Sequence, residues 1–268
     1  MAREDASHFV PSARHSAARR RVMRAARALA AGVSASVMSA GVAVGYGLAL
    51  GARPCACERE KVSGTARDAA YARLARSFDD AVGGSEYWSG IERMRATLVR
   101  ERARGDVLEV ACGTGRNFAY YDARAVRSLR AMDACEEMVA VARTKPCAVR
   151  LAVERGDAQA MSKVKSASVD VVVDTFGLCS FDDPVGALRE MARVTKSDGR
   201  VLLIEHGRSE YGWLNNILDH FADAHAAQWG CYWNRPIMKL IDEAGLEVLE
   251  KTTTHLGTTF VVVAKPKR

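Results

Sequence analysis

The segment from residue 107 to residue 117 constrains the fold more than any other part of this 268-residue chain. A short apolar run, Val107 to Ala111, is followed by two glycines, Gly113 and Gly115, and then by a helical-looking segment from Phe118 to Arg124. This order predicts a buried parallel strand, a tight turn and the start of a helix. Glycine has no Cβ atom, so the backbone can turn sharply and a ligand can lie against it. The segment therefore predicts a ligand-binding turn in an α/β protein, with an ordinary glycine turn as the alternative.

Glu109 lies inside this apolar strand. An unpaired carboxylate in a buried strand is costly, so we expect Glu109 to face a cationic or hydroxyl-bearing ligand. A dinucleotide site would prefer a third glycine three residues after Gly115. Phe118 occupies that position, which argues against an NAD or FAD site.

Predicted strands and helices alternate along the rest of the chain, which indicates a parallel sheet with both faces covered. The last two strands are joined by a short turn, which predicts an antiparallel hairpin at one edge. The predicted fold is α/β, a doubly wound and mostly parallel seven-stranded sheet. The strands are expected at residues 107–111, 129–133, 149–153, 169–176, 200–205, 246–252 and 259–264, and the helices between them at residues 136–143, 184–194, 213–227 and 237–244.

Two helices are also predicted before the first strand. Tyr71, Leu74 and Phe78 follow a helical spacing, Gly83-Gly84 is expected to break that helix, and a second helix leads into the strand. We expect these helices to form a lid over the ligand-binding edge. A plain cover for the sheet edge is the alternative interpretation.

The net charge of +7 is concentrated at the N-terminus, where residues 1–60 carry nine arginines against four acidic residues. The basic balance therefore gives no support to a nucleic-acid groove on the main domain. Residues 1–27 are interpreted as a basic targeting or flanking segment, and the charge-free residues 28–52 as a transmembrane helix, because a span needs about 20 residues. A cleaved targeting sequence is the alternative. Residues 53–64 would form a linker and residues 65–268 the main domain.

The seven cysteines are irregularly spaced and do not form the pairs typical of zinc fingers. His220 and His225 are five residues apart, which does not place both on one helix face. The sequence therefore predicts no metal site.

Several ordered segments resemble the class I S-adenosylmethionine-dependent methyltransferases, and specifically the UbiE-type, or type 11, branch. They are the E-V-A-C-G-T-G run at residues 109–115, the strand-four segment 170–181, and residues 187–194 and 198–206. Ala111 replaces the first glycine of the family motif. The resemblance implies that S-adenosylmethionine is the cofactor and that Asp133 accepts hydrogen bonds from its ribose. The implied cofactor-binding residues are Glu109, Ala111, Gly113, Gly115, Asp133, Met138, Asp157, Ala158 and Thr175.

Residues 205–235 are rich in His, Trp, Asn and Arg and follow strand five. This region is similar to that of membrane-anchored members of the branch, namely fungal mitochondrial inner-membrane methyltransferases and, more distantly, animal alkyl-thiol methyltransferases. His206 is the candidate general base, since imidazole titrates near neutral pH, or else a structural histidine that caps strand five. The candidate acceptor-binding residues are Trp229, Cys231, Trp233, Asn234 and Arg235.

The sequence thus predicts a methyltransferase that acts on a small thiol or a lipophilic quinone-like acceptor at a membrane. Its partners would be this small molecule and the membrane, without nucleic acid. The mitochondrial inner membrane is the expected location, with the endoplasmic reticulum or a plastid membrane as alternatives. A membrane-tethered assembly factor that binds S-adenosylmethionine without turnover is the competing hypothesis.

Overall fold

Within residues 63–267, which the computed structural model describes, seven strands form one sheet in the spatial order β3-β2-β1-β4-β5-β7-β6. Neighbours among the first five strands are parallel, whereas β7 is antiparallel to both β5 and β6. The predicted mostly parallel sheet with an antiparallel hairpin at one edge is therefore confirmed. The strands are β1 Gly105–Val110, β2 Val126–Asp133, β3 Leu151–Arg155, β4 Val169–Thr175, β5 Thr195–His206, β6 Leu246–Thr254 and β7 Thr259–Pro266.

Alternating side chains on the central strands fill two separate hydrophobic layers. Leu108 and Val172 belong to the cluster on one face, and Val107 and Val171 belong to the cluster on the other. Successive residues of a strand point to opposite faces, and β1 and β4 are aligned so that Val107 lies opposite Val171. Helices then bury both faces. They are α1 Gly64–Leu74, α2 Phe78–Ser89, α3 Ile91–Arg102, α4 Glu136–Ala142, α5 Pro184–Val194, α6 Gly212–Trp229 and α7 Ile237–Glu243.

Helix α5 has the predicted bounds, and its sequence explains both its start and its orientation. The Asp183 side chain accepts a hydrogen bond from the Gly186 amide, and Pro184 occupies the first turn, where its missing N–H costs nothing. Leu188 and Met191 are three residues apart and fully buried. The helix therefore packs one apolar stripe on the sheet.

Two local predictions are wrong. The helix expected from Phe118 to Arg124 is only a 3₁₀ turn, Phe118–Tyr120, because the backbone becomes extended at Tyr121. The Tyr121 hydroxyl donates a hydrogen bond to Glu109. The break expected at Gly83-Gly84 is also absent, because α2 runs through both glycines. The interruption lies between α1 and α2 instead.

The basic segment, the transmembrane helix and all but the last two residues of the linker, as predicted for residues 1–62, lie outside the described residues. Among residues 63–267, no helix combines the length and apolar character needed to cross a membrane.

Candidate active site

A cavity of about 740 Å³ opens at the carboxyl ends of β1, β2, β4 and β5. Ligands of open α/β sheets bind at this edge, where the strand order changes direction. The helices α1, α2 and α3 supply part of the wall, including Tyr71, Phe78 and Arg95. This position supports the lid interpretation of the N-terminal helices.

The glycine loop after β1 forms one end of the cavity together with Asp133, the last residue of β2. The amide of Gly113 donates to Asp133 Oδ2 at 2.8 Å, and the amide of Cys135 donates to Oδ1 at 2.9 Å. Burial raises the pKa of Asp133 above its ordinary value, and these two amides act in the opposite direction. A Cβ atom on Gly113 would meet nothing within 4 Å, so open space lies above the loop.

Backbone strain marks the ends of the two central strands. Ala111 has φ 47° and Phe176 has φ 63°, in the left-handed region that side chains with a Cβ atom avoid. Both residues line the cavity. Ala111, which replaces a glycine of the family motif, therefore adopts a backbone conformation that glycine tolerates better, at a cost in conformational energy.

Glu109 lies beneath the cavity rather than in its wall. It is fully buried, and its carboxylate accepts hydrogen bonds from Asn117 Nδ2 at 3.0 Å and from the Tyr121 hydroxyl at 2.7 Å. Burial raises its pKa to about 7. Asn117 also donates to Thr175 Oγ1 at 3.0 Å, and both Asn117 and Thr175 line the cavity. Glu109 thus orients Asn117, which does line the cavity.

Gly115 is not in the wall either. A Cβ atom there would lie 2.5 Å from the Phe118 ring, and φ is 80°. This glycine allows Phe118 to pack closely under the loop. Three other residues predicted to bind the cofactor do line the cavity, namely Met138, Asp157 and Ala158.

An ionic network that no spacing in the sequence indicates joins the N-terminal helices to the glycine loop. Arg95 pairs with Glu86 at 3.0 Å and also donates to Thr175 Oγ1 at 2.5 Å. Arg116 pairs with Glu86 at 2.7 Å and with Asp79 at 3.2 Å. Burial opposes the ionisation of Glu86, but Arg95 and then Arg116 outweigh it and hold its pKa below the ordinary value.

The other end of the cavity contains His206, Trp229, Cys231 and Trp233, four of the six residues predicted on the acceptor side. Asn234 and Arg235, also predicted on the acceptor side, lie outside the cavity wall. Asn234 donates to Asp219 at 2.8 Å, and Arg235 donates to the Phe181 carbonyl at 2.6 Å. Both side chains tie the segment after α6 to neighbouring elements.

Three further groups line this end of the cavity, the end predicted to hold the acceptor, and no motif in the sequence points to them. They are Tyr71, Cys179 and His225. Tyr71 and Ser180 share a hydrogen bond of 2.5 Å, and His225 stacks on Trp233 with ring centroids 3.9 Å apart. The Cys231 thiol and then burial raise the pKa of Cys179 well above its ordinary value. Polar and aromatic groups thus surround an apolar space.

The profile of the family described as "Methyltransferase domain" matches residues 108–203. The mitochondrial methyltransferase OMS1 of Saccharomyces cerevisiae is 36% identical over 74% of this chain and 45% of its own length. The human thiol S-methyltransferase TMT1A is 31% identical over 54% of this chain and 61% of its own length. The chain thus spans less than two thirds of either relative.

A solved structure of an S-adenosylmethionine-dependent methyltransferase from Thermotoga maritima has the same fold. Its TM-score is 0.52 at 20% identity, over 74% of this chain and 99% of that one.

Proposed function

Because this chain belongs to the class I S-adenosylmethionine-dependent methyltransferases of the type 11 branch, we propose that it transfers a methyl group to a small thiol. S-adenosylmethionine is the methyl donor of this fold family. The observation that carries the proposal is that one cavity contains both the Asp133 end and the His206 end. Donor and acceptor can therefore meet without leaving it.

The Asp133 end fits the nucleoside part of the cofactor. Each carboxylate oxygen of Asp133 accepts one backbone hydrogen bond and retains a lone pair for a ribose hydroxyl. The open space above Gly113 admits a ligand against the backbone. Asp157 and Met138 lie in the same wall, where the family places the adenine.

The methionine part would lie toward Arg95. This guanidinium lines the cavity and is held by Glu86, Asn117 and Thr175. A fixed guanidinium can hold a carboxylate in a defined orientation. The lid helices that carry Arg95 and Glu86 would also keep water from the reacting atoms.

When bound, the cofactor supplies a methyl group on a sulfonium whose leaving group is a neutral thioether. The chain then has to hold the acceptor in line and assist the loss of the thiol proton. His206 lies at the acceptor end and is the residue proposed for the second task. An imidazole can do this by taking the proton itself or by holding a cation that lowers the pKa of the thiol.

The similarity to a human protein named thiol S-methyltransferase supports the thiol as acceptor. A quinone-like ring is the second candidate, because Phe176, Trp229 and Trp233 line the cavity and offer flat apolar surface. The similarity to the yeast mitochondrial protein supports a mitochondrial location. The inner membrane, reached through residues 28–52, is the compartment that we propose.

The test uses the purified full chain, labelled S-adenosylmethionine and two acceptors, 2-mercaptoethanol and a soluble hydroxylated quinone precursor. We expect the labelled methyl group to appear in the methyl thioether of 2-mercaptoethanol. Label in the quinone precursor alone would favour the second acceptor. Cofactor binding without transfer to either would favour the assembly-factor hypothesis.

The same assay includes Asp133→Asn, with Asp242→Asn on the exposed surface as the matched control. Loss of a charged acceptor for ribose hydroxyls should weaken cofactor binding by about 1.5–3 kcal/mol, which is roughly ten- to hundredfold in Kd. Calorimetry measures this directly. An unchanged Kd in folded Asp133→Asn would remove Asp133 from the ribose site.

A further inference from the structure

Three potential metal ligands converge at the acceptor end of the cavity. Cys179 lies in the loop after β4, His206 is the last residue of β5, and Cys231 follows α6. One ligand atom from each lies within 4.8 Å of the other two. Both cysteines are buried free thiols, and all three residues line the cavity.

The backbone fixes the three residues relative to one another. The amide of Tyr232, next to Cys231, donates to the carbonyl of Cys179 at 2.8 Å. Gly230 ends α6 with φ 75°, and a Cβ atom there would lie 2.5 Å from the Tyr71 ring. His206 is held in the sheet opposite Thr259 of β7. Ligands held by strand ends and a capped helix form a preorganised site.

His206 has a buried ring nitrogen, Nδ1, without a hydrogen-bond partner among the described residues. Buried polar atoms nearly always have a partner, so this nitrogen points to a ligand. Two ligands bonded to one tetrahedral Zn²⁺ at about 2.0–2.3 Å are about 3.3–3.8 Å apart. Small rotations of the three side chains would therefore bring them onto one ion.

We propose that Cys179, His206 and Cys231 bind one Zn²⁺ and leave its fourth coordination position open to the cavity. Thiolate and imidazole ligands favour zinc, and three protein ligands with an open position are typical of catalytic zinc sites. His225 lies outside this group of three, with Nε2 3.5 Å from Cys231 Sγ. From there, His225 can form a hydrogen bond with the Cys231 sulfur and so orient it, as neighbours of metal ligands commonly do.

The role of this ion rests on the proposed function. The acceptor thiol binds at the open position, its S–H bond breaks, and the proton passes to water. The bound sulfur then uses a lone pair to form a bond to the methyl carbon. The bond from that carbon to the sulfonium breaks, and its electron pair stays on the leaving thioether. Nothing is oxidised or reduced, and His206 acts as a ligand rather than as the base.

The experiment measures metal binding without the cofactor. The purified full chain, kept reduced and stripped with a chelator, is titrated with Zn²⁺ by calorimetry, and its zinc content is determined by elemental analysis. We expect one Zn²⁺ per chain. Replacement by Co²⁺ should give thiolate-to-metal absorption bands that shift when 2-mercaptoethanol is added, because the thiol takes the open position.

Cys179→Ser, Cys231→Ser and His206→Phe should each weaken Zn²⁺ binding at least tenfold. The matched controls Cys147→Ser and His220→Gln lie outside the cavity wall and should keep one Zn²⁺. Thermal melting monitors folding, and His206→Cys, which replaces one zinc ligand by another, should retain the ion even if His206→Phe fails to fold.

Absence of zinc from the folded wild-type chain would overturn the inference, as would full binding by the folded variants or a Cys179–Cys231 disulfide in the freshly isolated protein. Cofactor binding and methyl transfer without zinc would overturn the metal site and leave the proposed function intact. Zinc binding without any cofactor binding would contradict the proposed function and leave the metal site intact.

Discussion

Ala111 adopts a left-handed backbone conformation that glycine adopts without strain. The left-handed region costs an L-residue about 1–2 kcal/mol, whereas glycine loses about 0.5–1 kcal/mol through its greater freedom in the unfolded chain. Ala111→Gly should therefore raise the free energy of unfolding by up to about 1 kcal/mol. Urea denaturation measures the change. The control is Ala134→Gly, at a residue that lines the same cavity but has no positive φ; this change should lower the free energy of unfolding. A loss of stability in Ala111→Gly would contradict the strain argument.

Two buried carboxyl groups on neighbouring strands make stability depend on pH. Burial raises the pKa of Asp174 to about 7, and burial together with Asp174 raises that of Glu205 well above its ordinary value. The folded chain thus binds more protons than the unfolded chain between about pH 4 and about pH 7. The contribution of Asp174 to the free energy of unfolding is therefore present at the acid end of this window and is lost as the pH rises through it.

In the Asp174→Asn variant, stability should decline less as the pH rises. Urea midpoints measured between about pH 4 and about pH 7 test this. Asp106→Asn is a control of opposite sign, because Arg127 and Ser128 lower the pKa of Asp106 to about 2. Its stabilisation is lost only as the pH falls below about 4. An Asp174→Asn profile parallel to that of the wild type would show that Asp174 does not titrate in this range.

At the scale of elements, the lid depends on Glu86, which joins α2 to Arg95 of α3 and to Arg116 of the glycine loop. Glu86→Gln removes the carboxylate that pairs with the buried Arg95 and one of the two carboxylates that pair with Arg116. It should destabilise the chain by about 1–3 kcal/mol. Hydrogen exchange should accelerate within residues 78–102, while β4 and β5 keep their protection. Glu92→Gln, on the exposed side of α3, is the control. Uniform acceleration across the sheet would indicate global destabilisation instead of a loosened lid.

Elements with local signals were predictable, and contacts between distant segments were not. Helix α5 was predicted to the residue because Asp183 and Pro184 mark its start and an apolar stripe follows. Gly83 and Gly84 misled the prediction because local propensity does not register the ion pairs of Glu86. At the candidate site, Asp133 and His206 end strands, so their place at the edge of the sheet could be predicted. Arg95 carries no such signal, and nothing in the sequence spacing indicates that Cys179 and Cys231 meet.

At the scale of the whole molecule, the sequence places an arginine-rich segment, residues 1–27, and a charge-free run, residues 28–52, ahead of the predicted main domain. We expect the full chain to stay in the membrane pellet after carbonate extraction. Val42→Lys with Val44→Lys should release it, because each central lysine costs about 2.5–3.5 kcal/mol in insertion. Val42→Ile with Val44→Ile should leave it in the pellet. Release of the wild-type chain would refute the predicted transmembrane helix.

The position of β7 inside the sheet has a consequence for the order in which the chain can fold. β7 is the last strand in the chain, yet it lies between β5 and β6 and pairs with the end of β5 that carries His206. Until β7 is synthesised, or delivered across a membrane, the apolar edge of β5 has no partner there. An unpaired apolar edge is a template for aggregation. The nascent chain should therefore depend on chaperones until its final strand arrives, and the His206 end of the cavity should be the last part to form.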